Sequence, residues 1–250
     1  LRAARDGMCE FNPACYDLFG IGHPVLGFGP SALVSSFAEA LVRGRGRVFI
    51  FKSAADNHPI NNTASEELIR IVEAKGYDVF HDFLYLMPCN WFINYQRPFN
   101  LQIVDKAKIK ALQHAKELTA GTNSRLRPCR RWRWIARILH RLESRYGRKQ
   151  FGRALQTTTN CTLCGRCIKD CPVQNIREEN HRIRFGNNCL WCMRCIYSCP
   201  ETAIDARWMN WCVVKGGYRL SEYARAPDVD RTFVTRGSRG YWKHFRQYFE

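Results

Sequence analysis

Eight cysteines in two identically spaced runs constrain this chain more than any other feature. Cys161, Cys164, Cys167 and Cys171 form a C-x2-C-x2-C-x3-C run closed by Pro172, and Cys189, Cys192, Cys195 and Cys199 repeat it before Pro200. The repeat also aligns Arg166 with Arg194, Ile168 with Ile196 and Ile176 with Ile204, which marks an internal duplication. Three thiolates two residues apart on a wrapped loop reach three corners of an iron–sulfur cubane, while the fourth, followed by proline, serves the neighbouring cluster. The spacing therefore predicts one [4Fe–4S] cluster on Cys161, Cys164, Cys167 and Cys199, and a second on Cys189, Cys192, Cys195 and Cys171. Structural zinc is the rival, but its sites pair two ligands, a long spacer and two more, which tandem runs of four fit poorly.

The chain holds 13 cysteines in 250 residues. An odd count, local clustering and the lack of a basic-then-apolar leader argue against a secreted disulfide framework and for a reducing, cytoplasmic compartment. Cys9, Cys15, Cys89, Cys129 and Cys212 then read as free thiols, and His181, between the repeats, as a surface residue. With 46% hydrophobic and 24% charged residues, a disordered or fibrous chain is excluded. The apolar stretch 18–38 contains Gly20, Gly22, Pro24, Gly27, Gly29 and Pro30, which would leave backbone groups unsatisfied in lipid, so no transmembrane segment is expected.

Net charge is +17 and unevenly spread: residues 125–153 hold 11 basic residues and one acidic. Such shifts mark boundaries, and the expected organisation is an α/β domain over 1–121, a basic helical connector over 122–153, a cysteine-rich domain over 154–206 and a basic aromatic extension over 207–250. In the connector, Ile135, Ile138, Leu139, Leu142 and Tyr146 share one helical face, with Arg133, Arg137, Arg141 and Arg145 largely elsewhere. This reads either as a solvated surface helix or as a docking surface for an acidic protein or an anionic membrane, with Trp132 and Trp134 as interfacial anchors. No nucleic-acid fold signature accompanies the charge, so no nucleic acid is expected. The tail 228–250 mixes Phe233, Tyr241, Trp242, Phe245, Tyr248 and Phe249 with basic residues, and reads as folding back or binding a partner.

Upstream, apolar strands at 16–21, 48–51 and 78–86 alternate with helical patterns at 31–41, 63–75 and 103–118, the pattern of a parallel sheet flanked by helices.

Residues 157–206 resemble a bacterial two-cluster ferredoxin. The resemblance implies a hairpin at 181–185, helices following Pro172 and Pro200 that pack Ile176 and Ile204 into a shared core, and one-electron transfer. Arg166, Lys169 and Arg194 would favour the reduced, more negative clusters. Tyr16 to Pro24, Val48 to Phe51 and Met87 to Asn90 resemble the later part of a flavodoxin-like domain. Over residues 10–206 the chain resembles flavodoxin-like/ferredoxin fusion proteins. The implied fold is a partial, doubly wound, flavodoxin-like α/β parallel sheet plus a small duplicated α+β ferredoxin domain. Flavin mononucleotide would sit beyond the carboxyl ends of the strands, with Phe28 stacking and Asn57 and His58 as contacts, although ordinary strand-end loops would look the same. A phosphate-binding loop does not occur before residue 16. By the resemblance, the first strand, phosphate loop, first helix and second strand are therefore expected to be missing, and FMN is expected only in a longer form.

The resulting expectation is an electron-transfer protein with two [4Fe–4S] clusters and redox partners acidic at the docking surface. Its alternatives are a flavin/iron–sulfur oxidoreductase with its own substrate, for which no catalytic residue is assigned, and a nucleic-acid or protein binding module with structural metal.

Overall fold

The structure, a computed structural model, describes residues 11–225 and 232–250, so Cys9 and residues 228–231 of the tail lie outside the described residues. The chain divides into two compact units, one from residues 1–89, 95–138 and 220–250 and one from residues 90–94 and 139–219.

The first unit is built on a parallel sheet of β1 (Leu18–Pro24), β2 (Arg47–Ala54), β3 (Asp78–Leu86) and the short β4 (Ser124–Arg125), in that spatial order. Alternation along the strands sorts two faces. Phe19, Ile21, Val48, Ile50 and Val79 pack against Val34 and Ala38 of α1 (Ala32–Ala40) and Leu68 and Val72 of α2 (Glu66–Ala74). Ser31 starts α1, its Oγ accepting the Val34 amide at 3.4 Å. The opposite face carries Phe49, Phe51 and Phe83, whose rings stack at 6.1–6.3 Å between centroids. Glycine in β1 makes this possible: a Cβ on Gly20 would fall 2.2 Å from Phe49, and one on Gly22 2.2 Å from Phe51. The helix α3 (Arg97–Thr119) lies on this second face, where His114 stacks on Phe83 at 4.2 Å. Helices therefore flank both faces.

The described part of the tail folds back onto this unit. Val234, Phe245 and Tyr248 pack with Leu86, Tyr95, Phe99 and Ile103, and the Tyr248 hydroxyl accepts the Leu86 amide at 2.9 Å.

The connector forms α4 (Arg130–Leu142), one wide turn at Glu143–Gly147, and α5 (Arg148–Ala154). The cysteine-rich segment follows with β5 (Gln156–Thr157), α6 (Arg166–Asp170), β6 (Ile176–Glu179), β7 (Arg182–Phe185), α7 (Arg194–Ser198) and β8 (Ile204–Asp205). β6 and β7 form the expected hairpin, turning through Asn180 and His181 at φ 51° and 54°. β5 pairs antiparallel with β8. The duplication extends to the backbone: Leu163 and Trp191, Gly165 and Met193, and Gln174 and Thr202 occupy equivalent places in the repeats and all have positive φ.

One expectation is corrected. The helical turns α6 and α7 precede Pro172 and Pro200 rather than follow them. A residue before proline is driven out of the α region, and Cys171 and Cys199 accordingly sit at ψ 115° and 118°, ending each helix. Ile176 and Ile204 still enter one core, with Phe151, Ile183, Trp191, Met193 and Ile196, but they do so from strands. Among the described residues, no helix is long and apolar enough to cross a membrane.

Candidate metal centre

Each repeat holds two cysteines on a loop and a third in the first turn of the short helix that the loop enters, and the fourth ends that helix. Cys161, Cys164, Cys167 and Cys199 line one cavity together with Leu163, Arg166, Ile183 and Ile204. Cys199 comes from the second repeat, so this set is completed across the duplication. The electrostatic neighbours agree. The Cys167 thiol is pushed up by burial first, then by Cys161 and Cys199. Cys195 is raised by burial and then by Cys189, Cys192 and Cys171 ahead of Cys167. Cys189, Cys192 and Cys195 thus have Cys171 of the first repeat as an electrostatic neighbour. Among the described residues no three His, Cys, Asp or Glu side chains converge as ligands of a lone ion do.

Backbone amides point at the sulfurs. Asn175 N–H donates to Cys171 Sγ at 3.2 Å and Ala203 N–H to Cys199 Sγ at 3.3 Å, equivalent bonds in the two repeats. Trp191 N–H donates to Cys189 Sγ at 3.3 Å. Such donors stabilise charge on thiolate sulfur and tune a bound cluster. The Asn175 side chain fixes its own surroundings, donating to the Gly186 carbonyl at 3.1 Å and accepting the Asn188 amide at 2.7 Å.

The second set has an aromatic wall. Trp191 stacks on Phe151 at 5.4 Å and meets Trp91 at 4.5 Å. Gly152 of α5 admits the cysteine loop, since a Cβ there would lie 2.7 Å from the Gly186 oxygen and 3.0 Å from Cys189 Cβ. Burial pushes the Cys189 thiol up to about 12, with Arg148 pulling weakly the other way, and raises Cys192 against Arg194. Buried sulfurs of this kind are poor homes for bare thiolate charge and need a cation to deprotonate. An all-thiolate donor set with N–H groups on the sulfurs and apolar walls fits an iron–sulfur cluster. Arg194 reaches Cys192 electrostatically, whereas Arg166, on the first cavity, is paired with Asp170 at 3.6 Å. The sequence alone marks neither the amide donors nor the aromatic wall; the nearest signal is Asn175 and Ala203, each four residues past a final cysteine.

The flavin candidates are engaged within their own loops and with neighbouring elements of the α/β unit. Asn57 donates to the His244 carbonyl at 3.3 Å; His58 accepts the Ile60 amide at 3.3 Å and meets Trp132 edge-on at 4.7 Å. Phe28 is half-buried in its loop at φ 67°. A separate apolar cavity opens at the carboxyl ends of β1, β2 and β3, lined by Pro24, Phe51, Tyr85, Met87, Val104 and Ala107 among others, and none of the three candidates lines it. Outside the two sets, Cys15 and Cys129 are exposed, Cys89 is half-buried, and Cys212 is buried with its thiol donating to the Met209 carbonyl at 2.8 Å. His181 is exposed at its hairpin turn.

A comparison with curated proteins and with solved structures finds no match for the chain. Residues 153–200 match the model of the 4Fe-4S dicluster domain. The chain therefore carries a dicluster domain, which implies two [4Fe–4S] clusters, together with an N-terminal parallel α/β unit.

Proposed function

We propose that this is an electron-transfer iron–sulfur protein in which Cys161, Cys164, Cys167 and Cys199 hold one cluster and Cys171, Cys189, Cys192 and Cys195 the other. The observation that carries this reading is the single cavity ringed by three thiols of the first repeat and one of the second. When bound, the clusters supply reversible one-electron chemistry. The chain's own residues do the positioning and tuning. The amides of Asn175, Trp191 and Ala203 offset negative charge on sulfur, and Trp191, Phe151, Ile176 and Ile204 exclude water. Arg194 adds positive potential that favours the reduced state and an electron partner acidic at its contact face.

Anaerobic purification with iron, sulfide and zinc analysis, followed by EPR of the dithionite-reduced protein, tests this. About eight iron and eight sulfide per chain are expected, with about four retained in either Cys199→Ser or Cys171→Ser. The cluster lost in Cys199→Ser is the one lost in Cys164→Ser, and the cluster lost in Cys171→Ser is the one lost in Cys192→Ser. Zinc without sulfide overturns the reading, and Cys199→Ser sharing its loss with Cys192→Ser overturns the interleaving.

The resemblance to flavodoxin-like/ferredoxin fusions adds a second cofactor. Open α/β sheets take ligands outside the carboxyl ends of their strands, and an apolar cavity of about 550 Å³ lies there. We infer that a form of the protein carrying FMN seats its ring in this cavity, where a flavin would exchange two-electron for one-electron steps with the clusters. Titration of FMN into the longer form should give saturable quenching of flavin fluorescence that Ala107→Phe abolishes by filling the space. Quenching unchanged in that variant removes the flavin from this cavity and leaves the electron carrier intact.

A further inference from the structure

Helix α4 turns its greasy side outward. Ile135, Ile138, Leu139 and Leu142 are 40%, 56%, 38% and 50% exposed, and Trp134 and Tyr146 are 68% and 58% exposed. Positions 135, 138, 139 and 142 follow three- and four-residue steps, so helix geometry alone aligns them in one stripe, with Trp134 at its edge and Tyr146 following in the wide turn. A stripe of this width ordinarily faces a core. Here Ala136 is the buried residue of the helix, and the inward side is completed by Trp132 against His58 and by Arg133 paired with Glu66. Of the two aromatic residues expected as anchors, Trp134 alone stands free of the core.

Cations border the stripe. Arg130, Arg131, Arg137, Arg141 and Arg145 are exposed. The Arg137 guanidinium lies 5.9 Å over Trp134 and that of Arg145 6.0 Å over Tyr146. Glu143, the lone acid among residues 125–153, is neutralised by Arg148 at 3.1 Å. An aliphatic stripe edged by arginines and aromatic rings has two needs at once, apolar burial and anions alongside. An acidic protein surface meets the second; an anionic lipid surface meets both, because arginines can reach up to phosphates while the stripe enters the acyl boundary.

We propose that α4 is an interfacial helix that lies on anionic lipid, with Trp134 and Tyr146 at headgroup level. This stands apart from the electron-transfer reading, and its test reads lipid binding rather than redox chemistry.

The test is co-sedimentation of the purified full chain, clusters loaded, with phosphatidylcholine vesicles that either contain or lack phosphatidylglycerol. Binding is expected to the mixed vesicles, to weaken as salt rises, and to be negligible on the neutral ones. Neutralising two cations in Arg137→Gln/Arg141→Gln should weaken binding on the order of 30-fold. Ile138→Ser/Leu142→Ser should lose pelleting with an unchanged circular dichroism spectrum and cluster content, both variants being surface changes. The proposal is overturned if the folded protein ignores anionic vesicles at low salt, or if the serine variant pellets as well as the parent, which would mean adsorption by charge alone. It is equally overturned if Ile138→Ser/Leu142→Ser abolishes a concentration-dependent dimer of a protein that binds no vesicles. Retention on immobilised polyglutamate, dependent on the arginines and without vesicle binding, would make the helix a protein dock.

Discussion

At the scale of single residues, the least expected arrangement is a fully buried ion pair in the sheet. Lys52 Nζ donates to both Asp82 oxygens at 2.8 and 2.9 Å and to Ser65 Oγ at 2.8 Å, and Ser65 in turn donates to Asp82 at 2.9 Å. Burial lowers the Lys52 pKa against the pull of Asp82. Removing one partner of such a pair strands the other charge in a dry interior. Lys52→Met should therefore cost about 3–5 kcal/mol, while Lys52→Met with Asp82→Leu should recover much of it, since apolar replacement of a whole buried pair is often neutral. Urea midpoints of the two variants check this, and equal losses would show that the pair matters through packing instead. Nothing in the sequence announces Lys52 or Asp82, because the pairing depends on neighbouring strands whose register is set by residues far apart. The eight cysteines, by contrast, are legible at once: their spacing along the chain is itself the coordination pattern.

At the scale of elements, α3 meets β3 through a chain of titratable groups. His81 donates from Nε2 to Glu117 at 3.0 Å, His114 and Tyr85 share a hydrogen bond of 3.1 Å, and His114 lies on Phe83. Burial lowers the His114 pKa below its ordinary 6.5, against the pull of Glu117. A hydrogen bond from Gln113, helped by a weaker one from His81, holds Glu117 below its ordinary value against the cost of desolvation. Both groups bind fewer protons folded than unfolded, so their contribution is present above the unfolded values and drains away as pH falls through them. The urea midpoint of the α/β unit should drop between about pH 7 and pH 5, and His114→Gln should flatten that drop. An equally steep fall in the variant would place the proton uptake elsewhere. The strands and helices themselves were largely readable: the third strand has the bounds its apolar run gives, and Ser31 caps the helix it was expected to cap. The five-residue turns α6 and α7 were misplaced because so short a helix has no periodicity to read, and only the proline rule locates its end.

At the scale of the molecule, the two units rest on different foundations. The α/β unit has apolar layers on its sheet, whereas the core of the other includes Cys171 together with Cys167 and Cys195, whose thiols burial raises. Metal binding in such a unit is a folding term. Stripping iron with an anaerobic chelator should abolish the compact fold of residues 139–219 while the α/β unit keeps a cooperative thermal transition. A single transition shifted as a whole would show instead that both units unfold together. The dicluster character of the second unit could be read from the cysteine spacing, but the return of the tail could not, since aromatic residues such as Phe245 and Tyr248 fit folding back and partner binding alike.

That return has a consequence for how the protein is made. Phe245 and Tyr248 complete the apolar seam around Leu86, Tyr95 and Phe99, yet the ribosome delivers them only after every one of the eight cysteines. While the cysteine loops are emerging, the seam is still unsealed in the nascent chain. Translation thus leaves an interval in which the sheet is built, iron–sulfur assembly can begin and the Phe99 side stands open to chaperones and proteases, and the interval closes with the last turn of the tail.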